Sequence, residues 1–238
     1  MSSGFAQKND LCDRFADIIT RVNSAAARAK RSERELTIVA ISKTHPAELI
    51  QSAITCGVTD VGENRLQEAE KKIQIVGRNA VRWHLVGHLQ ANKARKAVKL
   101  FDVIHSLDSI DLAERLNRLC NEEGRELLSV LLQVNSGEEE TKSGVSEGDV
   151  FNIVDGIQSC ERLNLIGLMC VPPYFEDPNQ VRPFFRRLRE LRDELKARGV
   201  FKDGAGELSM GMTHDFEIAI EEGATMVRIG TAIFGERP

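Results

Sequence analysis

Apolar residues recur at helical spacing near the start of the chain, at Leu11, Phe15, Ile18, Val22 and Ala26, with Asp10 placed to cap the helix they predict. Leu36–Ile41 then reads as a short, unbroken apolar strand. From there the two patterns alternate. Helices are predicted from Pro46 to about Gly57, from about Arg65 to Val76, and over Asn92–Val98, Ile110–Glu123, Glu147–Gln158, Val181–Ala197 and Phe216–Glu222. Strands are predicted around Thr59–Val61 and over Val81–Val86, Asp102–His105, Leu128–Val134, Leu163–Met169, Leu208–Met210 and Thr225–Ile229. Pro46 suits a first helical turn and Gly57 a helix end. Phe184, Phe185, Leu188, Leu191 and Leu195 share one face of the helix over Val181–Ala197.

The strands lack apolar–polar alternation, as expected of a parallel sheet covered on both faces. Eight of them alternating with helices, after one extra N-terminal helix, within 238 residues predict an α/β fold, a single (β/α)8 TIM barrel rather than an open doubly wound sheet. No Gly-x-Gly-x-x-Gly opens a helix after the first strand, which argues against a Rossmann fold. With no low-complexity linker in view, one domain over residues 1–238 is expected, the helix within residues 1–30 packing on the barrel. The string Ala53-Ile54-x-x-Gly57-x-Thr59-x-Val61 echoes Ala219-Ile220-x-x-Gly223-x-Thr225-x-Val227, as two equivalent units of such a barrel would.

Composition narrows the function classes. With 32 Lys and Arg against 36 Asp and Glu, the net charge of −4 gives no electrostatic footprint for nucleic acid or a membrane surface. The longest apolar stretch, near Leu127–Val134, is far short of a bilayer span, and the N-terminus has no apolar leader core. A cytoplasmic protein is expected. The five cysteines, Cys12, Cys56, Cys120, Cys160 and Cys170, are odd in number and widely spaced, so they read as free thiols packed as small hydrophobes, without a disulfide framework or a zinc site.

In such a barrel the chemistry gathers at the C-terminal ends of the strands. Lys43 follows the first strand and Asn64 the second, and His84 lies late in the third. Ser209, Gly211 and Thr213 follow or end the seventh, and Arg228, Gly230 and Thr231 close the eighth. Thr213 is placed to cap the helix carrying Phe216, and Gly230-Thr231 to open a short helix. Backbone N–H groups and hydroxyls at these two starts suit an anion, and these loops are the usual phosphate grip of the fold; ordinary capping and a tight turn are the plainer alternative. Lys43 points into the mouth, where a partly desolvated amine forms Schiff bases with carbonyls; a solvated loop lysine is the alternative. His84 and His88 do not share a helical face, so no metal site is expected, and His45, His105 and His214 read as satisfied polar residues. The cations Lys93, Arg95, Lys96 and Lys99 read as a solvated helix face.

Several strings then take on a family pattern. They are Val39-Ala-Ile-Ser-Lys-Thr44, Gly62-Glu-Asn-Arg-Leu-Gln-Glu68, and Trp83-His-Leu-Val-Gly-His-Leu-Gln90 followed by Asn92-Lys93. Further on come Gln133-Val-Asn135, Lys142-Ser-Gly144, Gly167-Leu-Met169, Leu208-Ser-Met-Gly-Met-Thr213 with Asp215, and Val227-Arg-Ile-Gly-Thr-Ala-Ile-Phe-Gly235. In this order the chain resembles the pyridoxal-phosphate homeostasis proteins, single-domain barrels related to the N-terminal domain of alanine racemase. The resemblance implies that Lys43 carries pyridoxal 5′-phosphate (PLP) as an internal aldimine. It implies that Thr213, Gly230 and Thr231 hold the phosphate with Ser209 and Gly211 near by, that Arg228 faces the pyridine nitrogen, and that Asn64 and His84 line the pocket. Thr213 stands where many relatives have Ser, which keeps the hydroxyl, and His214 is assigned no role.

An arginine at the pyridine nitrogen disfavours ring protonation, and an unprotonated ring is a weaker electron sink. Racemases with this arrangement add a second base from another domain. Here the chain ends at Pro238, three residues after Gly235, and its one tyrosine, Tyr174, follows Pro172-Pro173 in a loop, so no such base is expected. The resemblance thus implies a PLP carrier without catalytic residues or strong turnover. It would hold PLP as a Schiff base and supply or buffer it, with apo PLP-dependent enzymes as recipients. A monomer is expected, with a dimer as the alternative, and no nucleic-acid or membrane partner. A racemase-like PLP enzyme acting on amino acids and a Schiff-base aldolase are the rival readings.

Overall fold

The computed structural model describes residues 2–137, 143–202 and 204–236, with side chains from residue 10 onward. Lys142, in one of the family strings, lies outside them. Helix α1 (Ser2–Arg28) leads into strand β1 (Thr37–Ile41). The alternation then runs α2 (Ala47–Thr55), β2 (Asp60–Glu63), α3 (Leu66–Val76), β3 (Arg82–Leu85), α4 (Ala94–Leu100), β4 (Val103–Leu107), α5 (Ile110–Glu122) and β5 (Leu128–Val134). It continues with α6 (Val150–Gln158), β6 (Leu163–Cys170), α7 (Arg182–Ala197), β7 (Glu207–Met212), α8 (Phe216–Glu221), β8 (Met226–Ile229) and α9 (Thr231–Phe234). The eight strands form a closed barrel in sequence order, shut by parallel pairing of β1 with β8 at Thr37↔Met226 through Ala40↔Ile229. This is the (β/α)8 barrel with an added N-terminal helix that the apolar pattern predicts.

Boundaries differ where local geometry changes. The predicted starts at Asn92, Glu147 and Val181 fall in 3-10 turns, Ala91–Lys93, Glu147–Asp149 and Pro178–Val181, that wind into α4, α6 and α7. Asp10 does not cap α1, which begins at Ser2; it lies inside the helix and pairs with Arg14 one turn on. The apolar stripe marks the buried stretch of this helix rather than its end. Leu11, Phe15, Ile18, Val22 and Ala26 are all buried, and α1 lies against α8, α9 and α2. Arg14 Nε donates to Ile233 O at 2.8 Å, and Arg31 Nη1 donates to Ile220 O and Ala224 O at 3.0 and 2.7 Å. These bonds tie α1 and the segment after it to backbone carbonyls of α8, α9 and the loop after α8.

The cysteine expectation is corrected at one pair. Cys12 on α1 and Cys56 at the end of α2 form a disulfide, whereas Cys120, Cys160 and Cys170 are free and buried. The two partners are 44 residues apart and become neighbours only because α1 folds back on α2, which their spacing does not reveal. The cationic face of α4 is neutralised rather than merely solvated: Arg95 pairs with Glu122 and Glu123, Lys96 with Glu70, and Lys99 with Glu123. Among the described residues, no helix is long and apolar enough to cross a membrane.

The core divides at the barrel wall. Val61, Trp83, Leu85, Ile104, Leu208, Met210, Val227 and Ile229 face outward into one large apolar cluster with the helices. The alternate strand positions face the lumen. There, small apolar groups around Val39, Ile41 and Met226, and around Val103, Leu131 and Met169, leave room for buried polar side chains. A barrel of this kind ordinarily fills its lumen with layers of Val, Ile and Leu. The difference decides what the mouth of the barrel can do.

Candidate functional site

A pocket of about 370 Å³ opens at the C-terminal ends of the strands, within the usual range for small-molecule sites. Lys43, Asn64, Thr213, Arg228, Gly230 and Thr231 line it, together with Ile41, Val86, Val171, Met212 and His214. Loops after β1, β2, β7 and β8 thus converge on one cavity. Close backbone approach sets part of this shape. A Cβ on Gly87 would sit 2.2 Å from Asn64 O, so the loops after β2 and β3 touch only because residue 87 lacks a side chain. Gly211, at φ +91°, turns the chain from β7 toward α8, where a Cβ would meet Ala219 Cβ at 2.5 Å.

Lys43 sits on a tightly held turn. Thr44 has φ +70°, a rare conformation for a β-branched residue. Its N–H donates to Glu68 Oε1 at 2.5 Å. The buried Lys72 Nζ donates to Ser42 O, Glu63 Oε1 and Glu68 Oε1 at 2.7, 2.7 and 2.6 Å, and Ser42 Oγ donates to Glu63. A second lysine on α3 therefore grips the residues on both sides of Lys43. Burial pushes the Glu63 carboxyl upward, against the pull of Lys72 and Ser42, and its Oε2 has no partner.

Arg228 forms the floor of the pocket. Its Nη1 donates to Ser209 O and Oγ at 2.7 and 2.6 Å, and its Nη2 donates to Cys170 O at 2.8 Å. Its Nε–H and one Nη2–H make no hydrogen bond to any described residue. Below it, Ser209 Oγ lies 2.9 Å from His105 Nδ1, His105 Nε2 lies 2.8 Å from His84 Nδ1, and His84 Nε2 lies 2.9 Å from Asp60 Oδ1. His84 and His105 are both 0% exposed. Burial lowers both imidazoles, His105 well below its ordinary value. Burial likewise pushes the neighbouring Cys170 thiol up to about 12, so it stays neutral.

Residues 16–238 match the family described as alanine racemase, N-terminal domain. A pyridoxal phosphate homeostasis protein of Aquifex aeolicus is 42% identical over 226 residues, covering 95% of this chain and 98% of that protein. The chain belongs to the pyridoxal phosphate homeostasis protein family. A further member, from Escherichia coli K12, is 39% identical over 236 residues, covering 96% and 97% of the two chains. The structure of PipY of Synechococcus elongatus with PLP bound superposes with a TM-score of 0.81 at 34% identity, over 94% of this chain and 100% of that one.

Within this homeostasis-family barrel, six of the nine expected site residues line the pocket and three do not. Ser209 stands one hydrogen bond below Arg228, and Gly211 shapes the turn behind the site. His84 lies deeper, reaching Arg228 only through His105 and Ser209. Strand parity accounts for this: Val86, two residues on along the same lumen-facing row, occupies the rim instead. Thr213 does not cap α8. That place is taken by Asp215, whose Oδ1 accepts the Met212 N–H at 2.6 Å, leaving the Thr213 hydroxyl without a bond to any described residue. Asp215 is itself buried, which raises its carboxyl.

His214, assigned no role from sequence, also lines the pocket. Its ring lies 5.4 Å from that of Tyr174, and its Nε2 is 3.3 Å from Glu176 O. Lys72 and Glu63 were missed as well. Their only signals were the i,i+4 pair Glu68–Lys72, which reads as a surface ion pair, and the place of Glu63 in a family string.

Proposed function

We propose that this protein binds PLP in the pocket at the barrel mouth, holds it covalently on Lys43, and supplies or buffers it rather than turning over amino acids. The observation that carries this reading is the convergence of three complementary groups on one cavity of suitable size: the Lys43 amine, the Arg228 guanidinium with unused N–H donors, and the Thr213 and Thr231 hydroxyls. These fit an aldehyde, a pyridine nitrogen and a phosphate respectively. Thr231, on the pocket lining, opens the short helix α9 directly after Gly230. The PLP-bound PipY structure and the homeostasis relatives support PLP as the ligand.

When bound, PLP supplies an electrophilic aldehyde and an electron-withdrawing ring. The chain's own residues decide how that chemistry is used. Lys43 would hold the aldehyde covalently, water being released, and the Lys72 network fixes the turn that carries it. Arg228 donates to the ring nitrogen and, as a permanent cation, opposes its protonation, which weakens the electron sink. Thr213, Thr231 and the Gly230 backbone hold the phosphate. Asn64, Ile41, Val86, Val171 and Met212 supply an amide and apolar walls, not a proton-transfer group. His214 is the one imidazole on the lining, and its Nε2 is turned toward the Glu176 carbonyl at the rim.

Purified protein mixed with PLP is expected to develop a visible absorption band that borohydride converts to a stable adduct mapping to the Lys43 peptide. Lys43→Ala should abolish both while preserving the far-UV circular dichroism. Trapping on a different lysine, or an undiminished band in the variant, refutes the assignment.

A further inference from the structure

The lumen polar groups form one continuous chain from the pocket floor to the opposite end of the barrel: Arg228, Ser209, His105, His84, Asp60. Its four links measure 2.6, 2.9, 2.8 and 2.9 Å. The two ends fix its direction. A guanidinium can only donate and an ionised carboxylate can only accept. Asp60 also accepts from Thr59 Oγ1 at 2.7 Å and lies 4.0 Å from Arg82, surroundings that keep it ionised.

His84 must therefore present an N–H at Nε2, or two lone pairs would face each other across 2.9 Å. With that ring neutral, its Nδ1 is an acceptor, so His105 donates from Nε2. His105 Nδ1 is then an acceptor too, and the Ser209 hydroxyl donates to it while accepting from Arg228. With neutral rings, only one arrangement of protons satisfies every link. A reversed chain would need an additional proton on an imidazole held at 0% exposure.

We propose that Asp60, His84, His105 and Ser209 are positioning residues for Arg228, forming a one-way hydrogen-bond chain that locks both imidazoles in the Nε2–H tautomer and holds the guanidinium toward the pocket. Ser209 takes up one Nη1 hydrogen through its hydroxyl and the other through its carbonyl, and Cys170 O takes one from Nη2. The N–H groups left over are those able to meet a ring nitrogen, so the link to the cofactor rests on the PLP reading above, while the tautomer lock does not. Asp60 never approaches the ligand and acts through three intervening side chains.

The test uses long-range proton–nitrogen correlation spectra of the histidine-labelled, cofactor-free protein at neutral pH. His84 and His105 are each expected to show one protonated Nε2 and one unprotonated Nδ1. An imidazolium or an Nδ1–H form at either ring overturns the proposal. Asp60→Asn, nearly isosteric, offers a donor as well as an acceptor and should convert both rings to tautomer mixtures. A single unchanged tautomer at His105 in that variant would show two separate pairs rather than a chain. Ser209→Ala should leave both rings locked, because the carboxylate end still dictates them, yet weaken PLP binding several-fold; undiminished binding overturns the positioning role. If the unmodified protein fails to bind PLP, the cofactor reading falls while the tautomer spectra still decide the lock.

Discussion

At the scale of single residues, the proposed phosphate grip rests on two pocket hydroxyls, those of Thr213 and Thr231. Asp215 rather than Thr213 occupies the cap of α8, so removing the Thr213 hydroxyl should cost ligand contacts without loosening the helix. Thr213→Val and Thr231→Val are each expected to lose a hydrogen bond to a charged group, about 1.5–3 kcal/mol, or roughly a tenfold or greater fall in PLP affinity. Titration calorimetry measures this, and thermal melts should stay close to the parent. Pyridoxal, lacking the phosphate, should bind far more weakly to the unmodified protein and be nearly indifferent to both substitutions. Lys43, Asn64, Thr213, Arg228, Gly230 and Thr231 were legible from sequence because each falls at or beyond a strand end, where side chains reach the mouth. His84 was misplaced because it lies one inward step below that rim. The role of Lys72 was not legible, since its pair with Glu68 reads as a surface contact and its buried partners, Ser42 and Glu63, lie on other elements.

At the scale of elements, the alternation of apolar runs and helical stripes predicted every strand and helix of the barrel in order, because each element buries its own face locally. What it could not convey was the docking of α1, a long-range event. The Cys12–Cys56 disulfide records that docking. Two consequences can be measured. Thiol titration of the unreduced, denatured protein should count three of the five cysteines, and all five after reduction. Breaking the tie with Cys56→Ser should lower unfolding free energy by about 2–4 kcal/mol in denaturant titrations, the usual contribution of a cross-link closing a loop of this kind. Equal stability of the parent with and without reductant, despite a correct thiol count, would mean that α1 is held by its apolar stripe and the Arg14 and Arg31 contacts alone.

At the scale of the whole molecule, holding a cofactor and turning over an amino acid make different demands. Two-base racemisation at the substrate carbon needs a proton-transfer group in reach on each face of the ring. The pocket supplies Lys43 on one wall and otherwise amide, hydroxyl and apolar groups, with His214 directed to the rim. L- or D-alanine is therefore expected to perturb the absorption of the loaded protein without racemisation at the roughly 1–10³ per second of ordinary enzymes, and PLP should pass slowly to an added apo-enzyme. A coupled racemisation assay at high protein concentration, run beside recovery of the acceptor's activity, measures both.

The polar lumen also divides the barrel wall by its tolerance of amino-acid change. On the outward side, Val61, Ile104 and Val227 meet helices through nonspecific apolar contact, and volume-conserving exchanges there usually cost less than about 1.5 kcal/mol. On the inward side, neighbouring positions such as Asp60, His105 and Arg228 each depend on a partner from another strand, and a single exchange strands a buried group at about 1–3 kcal/mol. Adjacent residues of one strand thus face opposite rules: the outward-facing positions can drift singly, while the inward-facing polar ones change at that cost unless their partners on other strands change with them.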